Sequence, residues 1–201
     1  MACPSFGLPA VTTCPARKRC LESETPGREA ICRRCYAQKG RYRFKNTIAN
    51  RDCRWQWWRD ATTEDRVVVL AAALESEGAP SYFRCYDSGD LTVPEDALTW
   101  LGLADRMPRM RLWLPTRNWI LPEFDSALAA LNAHPRIIVR PSAMCFGDKS
   151  PEVSGLSAGT TSPDDNKMLG AGLADYTCPG GCGACRVCWD RPELSVEYHR
   201  K

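Results

Sequence analysis

Two groups of four cysteines are the residues best suited to chemistry in this chain. Cys14, Cys20, Cys32 and Cys35 are separated by five, eleven and two residues, and Cys178, Cys182, Cys185 and Cys188 by three, two and two. There are 12 cysteines among 201 residues, and a chain of that length buries a core without disulfide staples. No leading basic-then-apolar segment is present, nor a run of the about 18–20 apolar residues that a membrane span needs. A cytoplasmic setting without membrane partners is therefore expected. In that reducing compartment, clustered thiols are metal ligands rather than disulfides.

A turn that brings two sulfurs two residues apart onto one metal serves both zinc and iron–sulfur sites. A zinc ribbon separates its two Cys-x2-Cys knuckles by a dozen or more residues. The second group has no such gap, and its compact run favours a 4Fe-4S cluster, with Zn2+ as the alternative. Its first two spacings match the three-cysteine loop of radical S-adenosylmethionine enzymes, in which one iron stays open for S-adenosylmethionine. Here a fourth cysteine follows and the motif lies near the C-terminus. Spacing leaves open whether the two groups make one site or two. His199, in the terminal VEYH, is a candidate extra ligand. Cys3, Cys53, Cys85 and Cys145 read as small core residues.

The elements that must position these groups lie between them. The chain reads as a single domain, 1–201, in four stretches. Residues 1–60 are basic and rich in Cys and aromatic side chains, with a helix expected over about 33–59. Residues 61–143 carry βα units. Residues 144–177 are irregular, a lid or linker, and 178–201 form the Cys-rich C-terminal segment. In 61–143, TTEDRVVVLAAALES opens on a Thr-x-x-Asp cap. Strands are expected from 82, 111 and 136, alternating with helices, so an α/β fold is predicted. Its form is a partial (βα) barrel or an open parallel sheet, with the cysteine-rich ends forming metal sites.

Each strand closes on polar groups: Asp87, Ser88 and Asp90; Thr116 and Arg117; Arg140 and Ser142. Carboxyl ends of parallel strands line ligand sites. Asp87, Asp90, Arg117 and Arg140 are accordingly candidate catalytic residues, as acid/base groups and anion clamps. Ser88, Thr116 and Ser142 are candidate cofactor contacts. The overall charge of +3 hides +8 in residues 1–60 and −5 in the remainder. A basic first third suits a nucleotide or nucleic acid. It equally suits thiolates needing counter-charges from Arg17, Lys18, Arg19, Arg33 and Arg34.

FGLPAVTTCPARKRC, CRRCYAQKGRY, YFRCYDSGDL, LWLPTRN, IIVRPSA and CGACRVCW occur in that order. Together they resemble the phage and plasmid gene product 88-like family, a family without an established activity. The resemblance implies a phage-type protein working in the cytoplasm of an infected or plasmid-bearing bacterium. The CYA motif and the strand-end residues are also similar to radical S-adenosylmethionine-like phage proteins with a partial barrel. An enzyme with a site-differentiated cluster is the leading expectation. The alternatives are a zinc-shaped nucleic-acid-binding module and a protein directed at a host partner.

Overall fold

The computed structural model describes residues 3–163, 172–180, 182 and 184–198, so His199 lies outside the described residues. At its centre is a parallel sheet of four strands in the order β1 (Ser5–Gly7), β2 (Tyr82–Ser88), β3 (Arg111–Thr116) and β4 (Ile137–Pro141). All three pairings are parallel, with Phe83 beside Leu112 and Leu112 beside Ile137. The fold is thus mixed α/β, and the strands expected from 82, 111 and 136 are present. β1 was not expected: three residues are too few to display a period, and only the edge of β2 makes them a strand.

Between β1 and β2 run α1 (Arg17–Glu22), three short 3-10 turns, α2 (Lys45–Asp60) and α3 (Thr63–Ser76). α4 (Asp96–Arg106) links β2 to β3, and α5 (Asp125–Ala133) links β3 to β4. Strand order equals chain order, the arrangement produced when every crossover has the same hand. One core accordingly joins α2–α5 to a single face of the sheet, through Trp58, Leu70, Trp100 and Leu128 against Phe83, Leu112, Leu114 and Val139. Trp58 is fully buried, with its ring centroid 5.0 Å from Phe6 and 5.6 Å from Trp100. The aromatic run at 55–58 therefore supplies core, not a base-stacking platform.

Local chemistry explains the helix starts. The Thr62 hydroxyl accepts from the Asp65 N–H at 3.1 Å, capping α3 as its sequence predicts. Asp96 opens α4 and is a buried hub. Its carboxylate accepts from the Thr92 N–H and hydroxyl, the Trp58 indole and the Arg66 guanidinium, tying α2, α3 and α4 together. The continuous helix expected over 33–59 is broken instead. Residues 31–43 form separate 3-10 turns, with Gly40 at φ +53°, and only from Lys45 does an α-helix run.

The other face of the sheet presents Tyr82, Trp113 and Arg140. It is covered by the C-terminal segment through α6 (Val187–Asp190), with Trp189 against Trp113. Strands β5 (Thr160–Thr161), β6 (Tyr176–Thr177) and β7 (Val196–Glu197) make a small parallel sheet beside it in the order β5-β7-β6. The described part of 144–177 is not a free lid. Cys145 and Phe146 are buried, Ala30 pairs with Cys145, and Ser142 pairs with Thr160. No helix among the described residues is long and apolar enough to cross a membrane.

Candidate functional site

The loop that leaves β1 carries the first cysteine group across the carboxyl ends of the strands. Cys14 precedes α1, Cys20 lies within it, and Cys32 and Cys35 sit in and after the first 3-10 turn. The far side of this loop is fastened to the chain beyond β4. The Ile31 N–H donates to the Met144 carbonyl at 2.9 Å, and Arg28 binds Asp148 through two bonds of 2.9 Å. Cys20, Ala30 and Cys32 pack together in a small apolar cluster against Leu21 and Met144.

Within the group, the Cys20 thiol donates to the Met144 carbonyl at 3.3 Å. The neighbouring Cys20 and Cys32 titrate as a pair, Cys32 pulling Cys20 down and being itself pushed up. Burial and the nearby Asp90 push Cys14 up to about 12, with Cys35 a further neighbour. Burial opposes the charge of the Arg117 guanidinium, and the neighbouring Cys32, Cys20, Cys35 and Asp90 favour it wherever they ionise. Among the described residues, no cysteine is joined in a disulfide. Among the described residues, no three His, Cys, Asp or Glu side chains stand in a geometry that could hold a metal ion.

The strand-end residues divide between two roles. Asp90 is 6% exposed, and its carboxylate accepts from the Leu91 N–H (2.9 Å), the Thr116 hydroxyl (3.0 Å) and the Arg117 N–H (3.0 Å). Burial outweighs these donors and raises its pKa to about 6. Ser88 donates to the Leu8 carbonyl at 2.7 Å, and Ser142 accepts from the Thr160 hydroxyl at 3.0 Å. Ser88, Asp90, Thr116 and Ser142 therefore staple neighbouring chain segments together.

Asp87 and Arg117 face the cysteine loop. Tyr42 donates to Asp87 Oδ2 at 2.9 Å, and the Tyr36 hydroxyl donates to the Asp87 carbonyl. Arg117 Nε donates to the Ala143 carbonyl at 3.0 Å, while its charge serves the thiols. Tyr36 and Tyr42 belong to this site, and sequence reading missed them. The only signal was their place just after Cys35, since their contacts with Asp87 join residues 51 and 45 positions apart in the sequence.

Arg140 does not join them, which corrects its expected role as an anion clamp beside Asp87 and Arg117. It lies on the opposite face, fully buried, and spends all five N–H donors on carbonyls. These belong to Cys188, Ala158, Leu194, Val187 and Arg191, at 2.6–3.3 Å. The second cysteine group also lies on that face. Cys188 packs with Trp113 and Trp189, and Cys182 and Cys3 adjoin them. The two groups, which spacing left open as one site or two, lie on different parts of the sheet. Cys53 is exposed on α2 rather than buried in the core, whereas Cys85 and Cys145 are buried as expected.

The basic first third is also redistributed. Lys18 and Arg19 pair with Glu22, Arg33 with Glu24 and Arg34 with Glu29. These cations are not the counter-charges of the thiols; Arg117 is. Residues 36–51, by contrast, hold five Lys/Arg and no Asp or Glu. There Lys39, Arg41, Arg43 and Lys45 are exposed beside Tyr36 (48% exposed), Phe44 (65%) and Ile48 (44%).

A parallel α/β sheet with a cysteine-bearing loop across its strand ends and a second cysteine segment on its open face defines the class of protein. The Gene product 88 family model matches residues 1–144, and the chain belongs to that family. No match was found among curated proteins or among solved structures.

Proposed function

We propose that the protein is an enzyme in which three of the four thiols Cys14, Cys20, Cys32 and Cys35 hold a 4Fe-4S cluster. It would be radical S-adenosylmethionine-like and act on a nucleotide or nucleic acid. One observation carries the reading: the loop after β1 gathers four thiols at the carboxyl ends of a parallel sheet, around the Arg117 cation. Ligands in such sheets bind at that edge. The donor set fits the group, because soft thiolates without an accompanying histidine suit iron–sulfur clusters and zinc. A cation among thiolates also offsets part of the charge that ligation would bring. Ligation requires the thiols to draw closer, exchanging the Cys20 hydrogen bond to the Met144 carbonyl for a bond to metal.

With three cysteines as ligands, a 4Fe-4S cluster leaves one iron for S-adenosylmethionine and supplies the electron for its reductive cleavage. The chain's own residues do the rest. Arg117 holds anionic groups by charge, and Asp87, oriented by Tyr42, accepts a hydrogen bond or a proton from the substrate. The acid-free stretch 36–51, with Lys39, Arg41, Arg43 and Lys45 exposed, adjoins Asp87 through Tyr36 and Tyr42, which supports a polyanionic substrate.

The test is anaerobic purification followed by iron, sulfide and zinc analysis of the wild type and of Cys20→Ser/Cys32→Ser. Brown protein whose iron and sulfide disappear in that variant is the expected result. Iron-free wild-type protein purified and reconstituted without oxygen would sink the redox reading. A second reading, a nucleic-acid-binding module shaped by zinc, rests on the same exposed basic stretch. It predicts zinc in place of iron and binding that weakens steeply with salt, without turnover.

A further inference from the structure

We infer that Cys178, Cys182, Cys185 and Cys188 bind a zinc ion of their own on the open face of the sheet. This second centre clamps the C-terminal segment in place and is separate from the cysteines at the strand ends. The inference stands whether or not the first group carries iron.

The location comes first. Cys188, on α6, is buried against Trp113 of β3 and beside Trp189, with Cys182 and Tyr198 adjoining. Cys178 follows β6 directly, and its N–H donates to the Glu197 carbonyl of β7 at 2.8 Å. Arg186 links Cys182 and Cys185, which are separated by two residues in sequence. One Nη of Arg186 donates to both their carbonyls, to Cys185 at 2.9 Å. A Cys-x2-Cys pair held in this way is the unit that presents two sulfurs to one zinc.

The surroundings are those of ligating thiolates. The Tyr198 hydroxyl lies 2.9 Å from Cys188 Sγ, and the Tyr176 hydroxyl 3.5 Å from Cys185 Sγ. Both are donors for sulfur carrying charge. An independent sign is the Trp113 indole. Trp113 is 3% exposed, and its Nε1–H, beside Cys188, is buried without an acceptor among the described residues. An orphan donor costs about 1–3 kcal/mol, and a metal-bound thiolate would satisfy it. Cations complete the setting. The Arg84 guanidinium lies 4.8 Å over the Trp113 ring, that of Arg186 4.8 Å over the Tyr82 ring, and Arg140 binds the Cys188 carbonyl.

Zinc, redox-inert and content with closed ligation, suits a centre whose task is to clamp a segment. The described walls are Trp113, Trp189, Tyr82 and Tyr198, and Arg84, over the Trp113 ring, is engaged by the Tyr36 hydroxyl. The four thiols do not stand in ligating geometry without the ion, and drawing them together would make the closed tetrahedral set of a structural site. The segment also has reason to need one. Its helix has four residues and its strands have two each, too little to hold itself together without a cross-link. Cys3 stays a neutral thiol beside the site, donating to the carbonyls of Pro4 (3.3 Å) and Tyr82 (3.5 Å).

The test is the metal content of full-length chains made with zinc and iron both supplied. Wild type is expected to hold stoichiometric zinc. Cys182→Ser/Cys185→Ser should lose zinc and keep whatever iron the wild type has, whereas Cys20→Ser/Cys32→Ser and Cys3→Ser should keep zinc. Zinc retained in the first variant, or absent from wild type, overturns the inference. Should that variant fail to fold, Co2+ added to zinc-stripped wild type decides the matter. A tetrahedral thiolate Co2+ spectrum is expected, and its absence overturns the proposal equally. Zinc without iron in the wild type would count against the strand-end cluster only.

Discussion

The Thr116 hydroxyl donates to the Asp90 carboxylate across 3.0 Å, fastening the carboxyl end of β3 to the chain just beyond β2. With the N–H groups of Leu91 and Arg117 on the same carboxylate, Asp90 organises the strand ends on which the cysteine loop rests.

That position makes Asp90 a source of pH-dependent stability. Burial raises its pKa from 3.8 to about 6, so the folded state holds the proton more tightly than the unfolded state. The contribution to stability is full below pH 3.8 and is lost as pH rises through about 6. A shift of that size corresponds to roughly 3 kcal/mol. Asp90→Asn removes the titration and adds a constant cost for altered hydrogen bonds. The stability of the variant relative to wild type should therefore improve between pH 4 and pH 7 by roughly 2–3 kcal/mol. Urea unfolding across that range measures it, and a flat difference would refute the assignment.

Asp96 bears a larger structural burden. Its fully buried carboxylate holds Arg66 at 2.9 Å, and the Arg66 side chain is itself only 12% exposed. Asp96→Ala strands that guanidinium, the Trp58 indole and the Thr92 N–H together. The expected loss is about 3–5 kcal/mol, the cost of breaking a buried pair from one side. Asp96→Asn, which keeps an acceptor oxygen, should lose less. Equal losses from both substitutions would show that charge, not hydrogen bonding, carries the hub.

Arg140 supports the second face, and its loss should be local. Lys offers three donors where Arg140 uses five, so Arg140→Lys leaves buried carbonyls of the C-terminal segment unpaired, at about 1–3 kcal/mol each. Limited proteolysis should then cut within 144–198 well before the helical half is touched. A cleavage pattern unchanged from wild type would mean that the segment is held by other contacts.

These residues also mark where sequence reading stops. Strands β2, β3 and β4 announce themselves because apolar and β-branched runs alternate with helical periods of ordinary length. β1 exists only because β2 offers an edge. Arg140 and Arg117 both end strands, yet side chains alternate across a sheet. Val139 turns to the helices, so Arg140 turns away from them, and only knowledge of what covers the open face gives that alternation a meaning. The cysteines were visible by type and spacing. Their separation into two groups on different parts of the sheet depends on long-range pairings, such as Ile31 with Met144 and Cys178 with Glu197, which leave no local trace. Tyr36 and Tyr42 were hidden for the same reason.

Gly7 offers a direct test of how Asp87 is set. β1 pairs Ser5 with Arg84 but Gly7 with Ser88, so β2 spends four positions where β1 spends two. This irregularity presses Asp87 against the β1 backbone. A Cβ on Gly7 would lie 2.1 Å from Asp87 Oδ1, closer than any relaxed contact. Gly7→Ala must therefore push the carboxylate off the Tyr42 hydroxyl, at a cost of about 1–3 kcal/mol. In wild type, Tyr42→Phe should cost about 1 kcal/mol for the lost hydrogen bond. In the Gly7→Ala background that bond is already broken, and the same substitution should cost almost nothing. A double-mutant cycle by urea unfolding reads the coupling. Strictly additive losses would mean that Asp87 keeps its place without the glycine.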